Sequence, residues 1–309
     1  MTIFWGVKGK IMIKFYNRRN KEYQIERVAG NWAIKWIYGS RLVGAGLLHF
    51  LIKRRIASRL YGIYCSLSVS RKKIDKFIRD FNVDMDRFQV PEGGFKSFNE
   101  FFYRKLKKDM MNIEKEDRVL ISPCDGKVLA YQNIDIDMLL QVKGITYSLR
   151  ELIGDDEVAD KYNKGTCLVF RLCPSDYHRF HFIDDGICEK TNKIKGCYYS
   201  VNPVALDKIE KLFCENKREW SIFHSKNFGD VLYVEVGATF VGSIVQTYKP
   251  NEEVKRGDEK GYFKFGASTV ILFFKENIAI IDDDILEQTQ KGYETYVYMG
   301  EKIGVRREE

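Results

Sequence analysis

Histidine is scarce in this chain of 309 residues, which holds only four: His49, His178, His181 and His224. The seven cysteines, Cys65, Cys124, Cys167, Cys173, Cys188, Cys197 and Cys214, are odd in number and contain no CxxC pair. That pattern argues against a disulfide framework and fits a reducing compartment, with thiols acting as small hydrophobes. No apolar stretch has transmembrane length: residues 42–52 would span about 16 Å as a helix, roughly half a bilayer core. A signal peptide is unconvincing too, since this run starts late and no small-residue cleavage site follows it. Internal repeats and low-complexity tracts are absent. A G-x-S-x-G nucleophile elbow is missing at Ser268, because Val270 stands where the second glycine is needed.

What is present is enough apolar residue, 45%, to bury a full core, with 30% charged residues and ordinary Gly and Pro content. The net charge of +8 is unevenly spread. Residues 1–60 hold 13 Lys and Arg against Glu22 and Glu26, while the rest holds 38 bases against 41 acids. Trp5, Trp32 and Trp36 share that basic segment, and the 42–52 run is flanked by Arg41 and by Lys53, Arg54 and Arg55. Basic flanks, tryptophans and a short apolar face suit a segment lying in an anionic membrane surface. The plainer alternative is an amphipathic core helix. No nucleic-acid-binding module is recognisable.

The fold expected is α+β: a helical, basic, membrane-associating N-terminal region followed by a β-rich catalytic body. Three units are expected: a membrane-associating segment over 1–60, a helical region over 61–117, and the β-rich body over 118–309. Ile74, Phe77, Ile78 and Phe81 recur at helical spacing after Ser70, a suitable N-cap. Ser97-Phe98-Asn99-Glu100 has the form of a capping box, with Phe101, Phe102 and Leu106 following on one face. Short apolar runs at 167–172, 231–236, 240–245 and 270–274 read as strands. One helix is expected among them, with Asn202 as N-cap, Pro203 at its first position, and Leu206, Ile209 and Phe213 on one face.

Two of the four histidines fall in Asp176-Tyr177-His178-Arg179-Phe180-His181. Three readings stand side by side: structural rings hydrogen-bonded in a loop, a zinc site with Cys173 and Cys188, or general acid/base catalysis. The cysteine spacings match no standard zinc pattern, so no metal is expected. Asp125 lies in the turn Ser122-Pro123-Cys124-Asp125-Gly126, where an acid often only stabilises its own turn. Ser268 and Thr269 stand directly before an apolar strand. None of these decides the chemistry alone.

Taken in order, the segments resemble the phosphatidylserine decarboxylase family from about Leu60 onward. The likeness is carried by residues 97–104, 122–126, Val142-Lys143-Gly144 with Tyr147-Ser148-Leu149, 176–181, 200–203, 236–244 and 260–270. It implies that Asp125, His181 and Ser268 form a self-cleavage triad, with His181 taking the Ser268 proton. Cleavage between Ala267 and Ser268 would turn Ser268 into a covalent pyruvoyl cofactor, which forms a Schiff base with phosphatidylserine and serves as electron sink. His178 would assist decarboxylation and reprotonation, giving phosphatidylethanolamine and CO2. The implied partners are the lipid substrate, an anionic membrane surface and the chain's own two fragments, 1–267 and 268–309, held together as a heterodimer with further oligomerisation left open. The implied location is peripheral, on the cytoplasmic face of a bacterial cell membrane. The family usually has Gly where this chain has Ala267; if that position needs a positive φ, Ala costs about 1 kcal/mol, roughly a five- to tenfold slowing. Two other classes remain open: a non-processing lipid-binding homologue, and a conventional serine hydrolase using the same triad.

Overall fold

Strands that are buried at every position are covered on both faces, and two such strands form the centre of the molecule. They are Thr166–Leu172 and Ser268–Phe274, buried at every residue. A computed structural model describes residues 3–5, 11–26, 55–142, 145–197, 199, 201, 203–207, 209–237, 244–266 and 268–308. The strands used below are β1 (Ile11–Asn17), β2 (Glu22–Glu26), β3 (Gly126–Gln132), β4 (Thr166–Leu172) and β5 (Arg179–His181). They continue with β6 (Arg218–Ser225), β7 (Gly229–Gly237), β8 (Glu259–Phe263), β9 (Ser268–Phe274) and β10 (Glu294–Val297). The main sheet runs in the order β1-β10-β3-β4-β9-β7-β6, and β2 pairs with β1. All of these pairings are antiparallel except β10 with β1.

Alternation along β9 divides the core. Val270, Leu272 and Phe274 face one apolar cluster, with Phe180, Phe182 and Phe263. Ile271 and Phe273 face the other, with Tyr147, Leu152 and Leu232. The β-rich body expected from about residue 118 is present, beginning with the strand Val119–Ile121.

The helical layer is α1 (Arg55–Ser66), α2 (Ile74–Phe81) and α3 (Phe98–Phe102). Ser97 caps α3 by accepting from the Glu100 N–H at 3.2 Å, while the Glu100 carboxylate turns to the Lys96 N–H instead of completing the box. Ser70 does not cap α2. It sits inside a 3-10 turn, donates to the Leu67 carbonyl at 2.6 Å and accepts from the Phe98 N–H at 2.9 Å. Tertiary packing against α3 outweighs the local cap there. The helices bury Cys65, Ile74, Phe98, Phe101 and Phe102 together, with Phe265 packed against them. The layer thus rests on the segment that leads into Ser268.

Two sequence expectations differ from the structure. Helix was expected near the N-terminus, but residues 11–26 form the hairpin β1–β2, and β1 adds to the body's sheet through Phe15, Tyr16 and Asn17 opposite β10. Ile13, Lys14, Phe15 and Tyr16 do alternate buried and half-buried, but the basic, tryptophan-bearing surroundings read as helix. The expected helix after Pro203 is two short pieces, Pro203–Leu206 and Leu212–Glu215, separated where Lys211 takes φ 52°. Leu206 and Phe213 are still buried, with Ile209 packed beside them. Asn202, residues 27–54 and residues 238–243 lie outside the described residues, so the expectations for Trp32, Trp36, His49 and the 42–52 run fall there.

Candidate active site

Ser268 opens the central strand, paired with Leu172 on one side and with Gly237, which has no side chain, on the other. Its hydroxyl is buried, and Oγ has no hydrogen-bond partner. An unpaired buried hydroxyl is costly, so it marks a group kept free rather than used for packing. Gly266, two residues earlier, has φ 148°, a conformation that residues with side chains rarely adopt. Ala267 itself lies outside the described residues.

The two motif histidines are held differently. The His181 backbone N–H donates to the Pro123 carbonyl at 2.8 Å, which fixes β5 beside the Asp125 turn. Its Nδ1 lies 2.9 Å from the Gly257 carbonyl and its Nε2 2.9 Å from the Tyr177 hydroxyl. A carbonyl only accepts, so Nδ1 carries the proton and Nε2 accepts from Tyr177. Burial lowers the His181 pKa, keeping the ring neutral. His178 Nδ1 lies 2.9 Å from the Asp176 carbonyl, so the same tautomer follows, but its buried Nε2 has no partner at all. The ring packs tilted against Phe102, with centroids 3.9 Å apart and planes at 38°, and burial pushes its pKa down to about 3.

Asp125 is fully buried, yet its carboxylate does not bond His181. Oδ2 accepts from Arg87 at 2.7 Å and Oδ1 from the Met299 N–H at 2.9 Å. Asp125 therefore reaches His181 through its charge, not through a triad hydrogen bond. The zinc alternative finds no support among the described residues, where no three His, Cys, Asp or Glu side chains converge on a metal position. Cys188 is engaged instead with Ser221.

A family profile described as phosphatidylserine decarboxylase matches residues 98–305. Three relatives are each named phosphatidylserine decarboxylase proenzyme. That of Clostridium novyi (strain NT) is 62% identical over 295 residues, covering 96% of this chain and 100% of the relative. That of Desulfitobacterium hafniense (strain Y51) is 61% identical over 295 residues, with 96% and 99% covered. That of Clostridium botulinum (strain 657 / Type Ba4) is 60% identical over 296 residues, with 96% and 100% covered.

The chain belongs to the phosphatidylserine decarboxylase family.

Within this family member, sequence reasoning missed Tyr177, Arg87, Gly257 and Met299 as neighbours of the histidines and Asp125. Tyr177 was visible, lying inside the 176–181 motif. The others are reached only through tertiary contacts, and Gly257 is one whose identity matters: it has φ 83°, and a Cβ there would collide with Ile113. A second buried charge network adjoins the site. Arg171 binds Glu294 and Glu26, each at 2.7 Å, and Lys127 lies 3.0 Å from Cys173 Sγ.

Proposed function

We propose that this decarboxylase cuts its own backbone between Ala267 and Ser268, then uses the resulting pyruvoyl group to convert phosphatidylserine to phosphatidylethanolamine and CO2. The observation that carries the reading is that Ser268 Oγ and His178 Nε2 are both buried and unpartnered, a state shared among the described residues only with Arg104 Nε, Thr269 Oγ1 and Thr295 Oγ1.

His181 is a neutral base whose Nε2 lone pair is covered only by the Tyr177 hydroxyl. When that bond opens, Nε2 takes the Ser268 proton, and Asp125 favours the resulting imidazolium through space. Oγ attacks the Ala267 carbonyl, exchanging the peptide C–N bond for an ester C–O bond. Elimination removes the Ser268 Cα proton to a base as the Cβ–O bond breaks, releases the Ala267 carboxylate as the end of chain 1–267, and leaves dehydroalanine. Water hydrolyses this to a ketone and ammonia.

A pyruvoyl group fits position 268, since the hydroxyl it consumes makes no bond whose loss would disturb the core. Once formed, it supplies a ketone able to condense with the substrate amine and to take up the electron pair freed as CO2 leaves. His178 holds its Nε2 free of any other partner, and from there it would pass a proton to carbon after decarboxylation. Chain 268–309 stays bound because β9 lies hydrogen-bonded between β4 and β7.

The basic stretch 27–60, which follows the hairpin joined to the body's sheet, would hold the enzyme at the cytoplasmic face of a bacterial membrane, where its lipid substrate resides. Among the described residues no helix is long and apolar enough to cross a membrane. A denaturing gel tests the reading: the natural protein should give two fragments and full decarboxylase activity. Ser268→Ala should give a single 36.2 kDa chain without activity. A natural protein that persists as one band would favour the non-processing lipid binder.

A further inference from the structure

Arg104 closes the segment 97–104, yet nothing in the chemistry above uses it. It is 2% exposed, which is rare for arginine and demands extensive pairing. Its guanidinium donates in two directions. NH1 reaches the Phe101 and Phe102 carbonyls, at 3.3 and 3.4 Å, at the end of α3. NH2 reaches the Ser175 and Asp176 carbonyls, at 2.7 and 3.2 Å, in the loop before His178. The cation also lies 4.1 Å from the Phe88 ring centroid and 4.9 Å from that of Phe101.

These two directions converge on His178. The ring has one face on Phe102, whose carbonyl Arg104 binds, and its Nδ1 on the Asp176 carbonyl, which Arg104 also binds. One side chain therefore ties together the two elements that clamp the imidazole. We propose that Arg104 is the positioning residue of decarboxylation: it locks His178 as the Nδ1–H tautomer, with the Nε2 lone pair free to carry the proton. This rests on the reading of His178 as the group that moves that proton.

The surroundings are consistent. The charged group acting on His178 is Arg104 from the end of α3, while Asp176 from its own loop meets the ring only through its backbone carbonyl. The Asp176 carboxylate is turned onto the Cys173 N–H at 2.7 Å and lies 3.8 Å from Lys127 Nζ. From β8 the Phe263 N–H meets the His178 carbonyl at 2.9 Å. Burial lowers the Arg104 pKa to about 10, which still leaves it cationic at neutral pH. Its charge, after burial, is a further influence against protonation of His178.

The test is nitrogen NMR of ring-labelled histidine in the uncut Ser268→Ala protein, where only four histidines contribute and His178→Gln assigns the signal. His178 should show a single Nδ1–H tautomer with no protonation down to pH 5. Arg104→Gln should give a tautomer mixture and a titration raised by at least one pH unit. Arg104→Lys, which keeps the charge but cannot bridge both pairs of carbonyls, should also lose the single tautomer, and it decides the matter if Arg104→Gln does not fold. Either folded variant retaining the parent tautomer and titration overturns the proposal. In processed enzyme the same substitutions should lower kcat at least tenfold with KM changed less than threefold. A processed His178→Gln enzyme that decarboxylates normally would instead sink the reading of His178, whatever the spectra of the Arg104 variants show.

Discussion

The Tyr177 hydroxyl donates a 2.9 Å hydrogen bond to Nε2 of His181, the nitrogen we propose takes the Ser268 proton in self-cleavage. Tyr177 is buried and stacks on the same ring, with centroids 5.7 Å apart. Tyr177→Phe keeps the stack and removes the donor. It should cost about 1–3 kcal/mol of stability, because Nε2 is left buried and unpaired. Cleavage should proceed at least as fast as in the natural chain, whereas His181→Gln should block it. A time course of fragment formation after cell-free synthesis checks this; a Tyr177→Phe chain that stalls like His181→Gln would make the phenol a required acid.

The hairpin at the N-terminus is held by buried charge. Burial opposes ionisation of Glu26, but the Arg171 and Lys127 charges overcome it and hold its pKa at about 2. Glu26→Ala leaves both cations without that partner in a buried setting, where breaking a pair costs about 3–5 kcal/mol. Urea unfolding should show a loss of that order. An unchanged midpoint would mean that β1 and β2 do not contribute to the sheet.

Much of the body was legible in the sequence because its signals are local. The apolar runs 167–172 and 270–274, bounded by turns, gave most of β4 and β9, and Ser97 announced the start of α3. The N-terminal hairpin was not legible, because the partner that makes β1 a strand, β10, lies more than 270 residues away along the chain. Likewise the Asp125, His181 and Ser268 set could be named from motifs, but the bonds around it could not. The sequence suggests that Asp125 orients His181; in the fold that carboxylate is taken by Arg87 and the Met299 N–H, and the Gly257 carbonyl and Tyr177 orient the ring.

Stability should fall with acid earlier than carboxylate titration alone explains. His178 has a folded pKa near 3 against 6.5 for a free side chain, and His181 is also lowered. The unfolded chain therefore binds protons that the folded chain refuses, so these groups' contribution is complete above pH 6.5 and is lost as pH falls below it. His178 should remove about 1.4 kcal/mol per pH unit in that window, and His181 acts in the same direction. Urea midpoints of the Ser268→Ala protein between pH 7.5 and 5 measure the slope, and His178→Gln should reduce it by one group's share. A slope unchanged by that substitution would mean that His178 is protonated in the folded protein.

Backbone freedom before the cut should control its rate. Gly266, at φ 148°, should tolerate alanine poorly: Gly266→Ala is expected to cost about 1–3 kcal/mol and to slow processing. Ala267→Gly should speed processing by no more than about tenfold. Pulse-chase measurement of fragment appearance separates the two; equal rates for all three chains would remove any role for this glycine.

The most direct test is the intact mass of the purified natural protein under denaturing conditions, beside its decarboxylase activity. The expected result is two polypeptides, 1–267 and 268–309, the second beginning with a ketone in place of the Ser268 amine and hydroxyl. Full activity from an unbroken 36.2 kDa chain with Ser268 intact would contradict it.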